Sequence, residues 1–159
     1  MDPDTAASLR RLLAARSVAA LATLHHGEPA VSMTPFVLPP GAAHLVIHVS
    51  ALATHTRDML AHPRVGVLVT ADEGACAPQA LPRVSLQADA EPLARGTAAA
   101  DEARAQYLAR FPDAEITFSL ADFSLFVLRP VSARLVAGFA RAHSLAGERL
   151  GEWLRAGGH

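Results

Sequence analysis

Apolar and polar residues alternate along this chain in short runs, a pattern typical of half-buried β-strands. Residues 43–49 predict a strand for another reason, because they hold three β-branched side chains. We predict strands at residues 18–24, 29–38, 43–49, 64–70, 83–93 and 124–136. A His26-Gly27 turn joins the first two of them into a hairpin.

Helical periodicity is found only between these strands and near the two ends. Leu9, Leu12 and Leu13 recur at the spacing of an amphipathic helix over residues 4–16. Shorter helices are predicted at residues 52–61, 97–111 and 144–154. Six strands with so few helices predict a mainly β fold, an antiparallel barrel with helices at its ends, rather than a doubly wound nucleotide-binding fold.

Composition narrows the classes of function. The 159 residues predict one domain, and 51% apolar residues are enough for a sizeable core. Fourteen basic and fifteen acidic side chains give a net charge of −1, which argues against a general nucleic-acid or anionic-membrane binder. All fourteen basic residues are Arg, so Schiff-base chemistry on a lysine is excluded, and the single Cys76 excludes an internal disulfide. With no apolar run of 18 residues and no apolar segment at the N-terminus, we expect a cytoplasmic protein.

One segment, residues 48–58, is dense in functional groups. A strand ends there and a helix begins, so unpaired N–H groups and the positive end of the helix dipole meet polar side chains. These side chains are Ser50, Thr54, His55, Thr56 and Arg57. The pattern predicts an anion site, with Arg57 able to bind phosphate in a bidentate manner. The alternative is that Ser50 caps the helix while Arg57 and Asp58 are solvated.

The order of several motifs resembles the pyridoxamine 5′-phosphate oxidase-like, FMN-binding split-barrel superfamily. The motifs are GEPAVSMTP at 27–35, SALATHTRDMLAHPRV at 50–65 and PRVSL at 82–86. Within that superfamily, YLARFP at 107–112, DF at 122–123 and VAGFARA at 136–142 are similar to the haem-utilisation branch. The resemblance covers residues 18–142.

The resemblance implies a six-stranded antiparallel split barrel with flanking helices, a single domain over residues 1–159 with its core at 17–142 and a C-terminal tail at 143–159. It implies a homodimer that binds FMN between its subunits. The flavin ring is expected at Ser32, Met33 and Thr34, with Arg83 of the fifth strand facing it. The phosphate is expected at Val49, Ser50, Thr54, His55, Thr56 and Arg57. Related oxidases have Lys at the position of His55, and the branch usually has Asn at that of Asp58 and Gly at that of Ala88.

Two functions follow from this resemblance, and a third stays open. The first is an FMN-dependent oxidoreductase whose substrate and catalytic residues the sequence does not reveal. The second is a haem-binding or haem-degrading protein, with His143 or His159 as the axial ligand and no other metal site. The third is a barrel that has lost its cofactor and serves as an interaction module. We expect five aromatic side chains to be core or dimer contacts rather than a cofactor cage: Tyr107, Phe111, Phe118, Phe123 and Phe126. Trp153 is expected to lie in the tail.

Overall fold

The computed structural model describes residues 1–74 and 76–156. Its strands are β1 (Val18–His25), β2 (Glu28–Pro35), β3 (Leu45–Ser50), β4 (Arg64–Thr70), β5 (Arg83–Pro92), β6 (Phe123–Val136) and β7 (Ala142–Ala146). Its α-helices are α1 (Pro3–Ala15), α2 (Thr54–Ala61), α3 (Ala98–Arg110), α4 (Glu115–Phe118) and α5 (Gly147–Arg155). Within the described residues, no helix is long and apolar enough to cross a membrane.

The strands form one antiparallel sheet in the order β2-β1-β4-β5-β6-β3, with β7 paired to the far half of β6. A bridge between Val37 and Val46 brings the chain after β2 against β3 and curls the sheet into a barrel. The predicted split-barrel class is confirmed. The hairpin is confirmed as well: His26 and Gly27 both have positive φ, +52° and +83°, as a two-residue turn of this kind requires.

The core lies inside the barrel, where alternate strand residues point. Leu21, Ile47 and Leu128 are fully buried there, and Leu9 and Leu13 of α1 join them. A smaller apolar cluster lies outside β3, where α3 packs Tyr107 against Val46. The prediction that Tyr107 belongs to a core is confirmed.

The outer face of β2, β1 and β4 carries apolar and small side chains. One row across it consists of Val31, Ala22 and Gly66, paired strand to strand. Gly66 has no side chain, and a Cβ at its position would lie only 3.3 Å from the Cβ of Ala22. The two strands are therefore close together here, and the surface between them is flat. Val31 and Met33 stand out from it with 73% and 63% of their surfaces exposed.

The C-terminal segment differs from the predicted tail. Residues 142–146 form a seventh strand, and the helix predicted from 144 begins only at Gly147, whose φ of +56° breaks the strand. Trp153 of α5 is 7% exposed, and its Nε1 donates to the Ala6 carbonyl at 3.0 Å. The segment therefore closes one end of the barrel, because α5 carries a continuous apolar face and α1 supplies an acceptor for the indole.

Candidate functional site

Strand β2 and the start of α2 meet in the structure. From the sequence, β2 is expected at the ring of the cofactor and the start of α2 at its phosphate. Ser32 Oγ lies 3.0 Å from His55 Nδ1. Alternation along β2 turns Ser32 and Thr34 toward the inside and Met33 toward the outside. Thr34 is 2% exposed and its hydroxyl donates to the Pro35 carbonyl at 3.1 Å, so this residue is closed to a ligand within one chain.

The N-terminus of α2 has no side-chain cap. The helix begins at Thr54 after Ala53, two residues later than predicted. Ser50 is therefore not its N-cap: Ser50 Oγ accepts the Leu52 N–H at 3.1 Å and donates to Asp122 Oδ2 at 2.6 Å. Residues 51–53 form this turn, and the helix starts after them.

Three of the six residues expected at the phosphate are hydrogen-bonded or buried inside the fold. The Thr56 hydroxyl donates to the Ser50 carbonyl at 2.7 Å, and the Thr56 residue is buried. Ser50 is held by Asp122, as described above, and Val49 is buried within β3. Thr54 and Arg57 are exposed and His55 is half-buried, so these three side chains are the ones that can reach an anion.

Asp58 points away from Arg57 and anchors α2 to β1. Its Oδ2 accepts the Thr23 hydroxyl at 2.8 Å, and its Oδ1 accepts His25 Nδ1–H at 2.8 Å. The hydrogen bond from His25 holds the pKa of the Asp58 carboxyl below its ordinary value, against the opposing effect of burial. The alternative in which Asp58 is solvated is wrong: the residue is 5% exposed. Thr23 and His25 share a face of β1, but no local signal linked them to Asp58.

His55 is the titratable group of this site. Burial lowers its pKa from the ordinary 6.5, and the nearby Asp58 carboxylate partly offsets that effect. The side chain that replaces the lysine of related oxidases is therefore mostly neutral at pH 7 before any anion arrives. Its Nδ1 is engaged by Ser32, which leaves Nε2 for a ligand.

Arg83 lies apart from this group within one chain. It starts β5, three strands from β2 in the sheet, a separation of about 14 Å at the usual strand spacing. Its guanidinium donates to the Leu81 carbonyl at 3.0 Å and braces the turn before β5. Arg83 therefore does not join Ser32 and His55 in a single chain.

Of the two candidate axial haem ligands, His143 is the one within the described residues, and it lies on β7 beside α5. It is half-buried and lines an open pocket of about 460 Å³ together with Arg149 and Trp153. His159, the other candidate, lies outside the described residues. No three His, Cys, Asp or Glu side chains converge on a metal-sized site in residues 1–74 and 76–156.

The fold and the junction of β2 with α2 define the class of protein, a split barrel of the pyridoxamine 5′-phosphate oxidase type. The family model described as pyridoxamine 5′-phosphate oxidase matches residues 5–137, and the chain belongs to that family. Within it, the chain falls with the haem-utilisation branch.

Three relatives illustrate this placement. The chain is 31% identical over 138 residues to heme oxygenase HutZ of Vibrio cholerae, with 85% of this chain and 77% of HutZ covered. It is 32% identical over 124 residues to the chloroplast heme oxygenase HOZ of Arabidopsis thaliana, covering 78% of this chain. A solved heme binding protein from Mycobacterium smegmatis superposes with a TM-score of 0.82 at 30% identity, covering 98% of this chain. The chain spans only 36% of HOZ and 62% of the mycobacterial protein.

Proposed function

We propose that this protein binds haem and acts in haem utilisation, with His143 as the axial ligand. The observation that carries the proposal is the placement of His143 in an open pocket beside an arginine and a tryptophan. The relatives named for haem oxygenase and haem binding support it.

The donor set of this pocket fits haem. A neutral imidazole nitrogen binds iron well, Arg149 can pair with a propionate, and the Trp153 indole offers an apolar wall. Bound haem would supply a redox-active iron able to bind oxygen. The chain would hold that group through His143 and orient it through Arg149, while the α1–α5 contact keeps Trp153 in place.

Haemin titration tests this proposal. Wild type is expected to give a saturable Soret band, and His143→Ala is expected to lose the ligated spectrum and most of the affinity. His62→Ala, an exposed histidine outside the pocket, is the matched control. His159→Ala is the second arm: loss of the spectrum in that variant alone would transfer the ligand role from His143. Absence of saturable binding by wild type would overturn haem binding itself.

FMN is the second candidate, favoured by the 3.0 Å contact between Ser32 and His55. That contact joins the strand expected to flank a flavin ring to the helix expected to hold its phosphate. The uncapped N-terminus of α2, with Thr54 and Arg57 exposed, fits a phosphate. In this case the protein is a homodimeric oxidoreductase, and the flavin supplies the redox chemistry.

Comparing FMN with riboflavin tests the second candidate, because riboflavin lacks the phosphate. Loss of one charge-assisted hydrogen bond in Arg57→Ala should weaken FMN by about 10- to 150-fold and leave riboflavin unchanged. Arg64→Ala, which removes an exposed arginine paired with Asp89, is the control. Equal weakening of both ligands by Arg57→Ala would contradict a phosphate contact at this helix.

A further inference from the structure

A second pocket, of about 220 Å³, lies on the outer side of β3 and β6 beneath the start of α3. Its walls come from His48 on β3, Phe118 on α4 and Phe123 on β6, and its rim includes Arg95 and the first turn of α3. It shares no lining residue with the haem pocket or with the α2 site described above.

The inner part of this pocket is an aromatic slot. The His48 ring stacks on Phe118 with centroids 3.8 Å apart and planes 7° apart, and the Phe123 ring lies 5.1 Å from it. His48 and Phe118 each cover one face of the other, and the Arg104 guanidinium lies 5.2 Å from the Phe118 centroid, so a further aromatic ring would meet this cluster edge-on, one of the arrangements that aromatic pairs favour. A cavity of about 150 Å³ accepts benzene, so this one has room for a single ring with small substituents.

His48 presents a hydrogen-bond acceptor to this slot. The Thr117 hydroxyl donates to the Ala114 carbonyl at 2.7 Å, so it must accept from His48 Nδ1–H, 3.3 Å away. Burial, with a smaller effect of the Arg95 charge, lowers the pKa of His48 to about 4, so the ring is neutral at pH 7. Nε2 then carries a lone pair. Nε2 has no hydrogen-bond partner among the described residues, and no fully buried side-chain nitrogen or oxygen of these residues lacks one, so Nε2 is not sealed in the core. Since His48 lines the pocket, we infer that Nε2 faces it.

The rim of the pocket is suited to an anion. Nη2 of Arg95 donates to the carbonyls of Leu120, Ala121 and Phe123, which fixes the guanidinium at the rim. The first turn of α3 lies beside it and adds the positive end of a helix dipole. Asp101, in the same first turn, also lines the pocket, and its carboxylate opposes an anion. The guanidinium of Arg104, which lines the pocket too, adds a second positive charge against it.

We propose that this pocket binds a small aromatic carboxylic acid that carries a ring hydroxyl. The ring occupies the slot beside Phe118 and Phe123, the hydroxyl donates to His48 Nε2, and the carboxylate accepts from Arg95. The acceptor lies deep and the cation lies at the rim, so the ligand enters with its hydroxyl first.

Binding of 4-hydroxybenzoate, measured by calorimetry and by chemical-shift changes, tests the proposal. Wild type is expected to bind it saturably. His48→Phe keeps the aromatic stack but removes the acceptor, and Arg95→Gln removes the cation; each should weaken binding at least about 10-fold. Arg129→Gln, an exposed arginine paired with Glu91, should bind as wild type does.

Two analogues separate the contacts. Benzoate, without the hydroxyl, should bind wild type and His48→Phe equally, and 4-hydroxybenzamide, without the charge, should be insensitive to Arg95→Gln. Because Arg95 also braces the loop before β6, thermal melting checks that this variant is folded, and His48→Phe gives an independent reading. Absence of saturable binding by wild type at millimolar ligand, or affinities unchanged in His48→Phe, would overturn the proposal. Neither result bears on haem or FMN, whose sites share none of these residues.

Discussion

At the scale of single residues, His55, which stands where related oxidases have Lys, and Asp58, which stands where the haem-utilisation branch usually has Asn, have different roles in the structure. His55 lies at the anion site with its ring tied to Ser32. Asp58, three residues later, faces the other way, and its carboxylate accepts hydrogen bonds from Thr23 and His25. The departure at Asp58 is therefore structural, whereas the departure at His55 affects how the site responds to pH.

If FMN binds at α2, its affinity should depend on pH through His55. Burial sets the pKa of the free ring below 6.5, and a phosphate dianion favours the imidazolium, so binding raises that pKa. Affinity should then be highest below the pKa of the free protein and fall as pH rises through the pKa of the complex. The second ionisation of the phosphate, near ~6, opposes this at the acidic end, so the profile can pass through a maximum.

The measurement is FMN affinity between pH 6 and pH 8 in wild type and in His55→Lys. A lysine stays charged across this range, so that variant should lose most of the decline. Parallel profiles for the two proteins would show that His55 does not contact the phosphate.

Replacing Asp58 should loosen α2 from β1. Asp58→Ala leaves the Thr23 hydroxyl and the His25 ring without their shared acceptor, and the thermal midpoint should fall by several degrees. Asp58→Asn, which restores the usual residue of the branch and can still accept one hydrogen bond, should fall less. Asp113→Ala, an exposed aspartate, is the control for loss of charge. Equal midpoints for Asp58→Ala and the control would mean that the anchor contributes no stability.

At the scale of elements, the sequence was informative where one period dominates. The six predicted strands are all present: β1, β4 and β5 alternate between buried and more exposed residues, whereas β3 is a continuously buried run rich in β-branched side chains. β7 was missed because its five residues include no β-branched side chain, and its place in the sheet depends on pairing with β6. The candidate anion site at α2 could be predicted from the sequence because its polar residues are neighbours in the chain at the start of a helix. The partners of Asp58 lie 33 and 35 positions away, and only the folded sheet brings them to it.

Helix α5 should be an integral part of the barrel, and Trp153 is the residue that tests this. Trp153→Ala removes a buried indole and is expected to cost about 3–5 kcal/mol of unfolding free energy. Trp153→Phe keeps most of the packing, loses the hydrogen bond to Ala6, and should cost about 1 kcal/mol beyond the smaller ring. Urea denaturation followed by circular dichroism measures both, since the chain has no other tryptophan for fluorescence. If Trp153→Ala matched Leu52→Ala, an 80% exposed control, α5 would not be docked.

At the scale of the whole molecule, the apolar face of β2, β1 and β4 is the surface that we expect a second copy to cover. Val31 projects from the smooth row that contains Ala22 and Gly66, so a charge there should prevent close approach. We predict that Val31→Glu converts a homodimer to monomers at micromolar concentration, measured by sedimentation equilibrium. Ile116→Glu is a matched control, because Ile116 is also 73% exposed but lies on α4. A wild type that sediments as a monomer, or a Val31→Glu variant that remains dimeric, would contradict this interface.

The docking of α5 on α1 also bears on the order in which the chain folds. The hydrogen bond from Trp153 to Ala6 joins residues 147 positions apart, and closing a loop of that length in an unfolded chain costs about 4 kcal/mol of entropy. The hairpin of β1 and β2 closes over a two-residue turn and bears almost none of this cost. The barrel strands should therefore pair first and bring the two ends together, so the terminal helices seal the structure late. Weakening their contact would then act mainly by accelerating unfolding and would leave the refolding rate nearly unchanged.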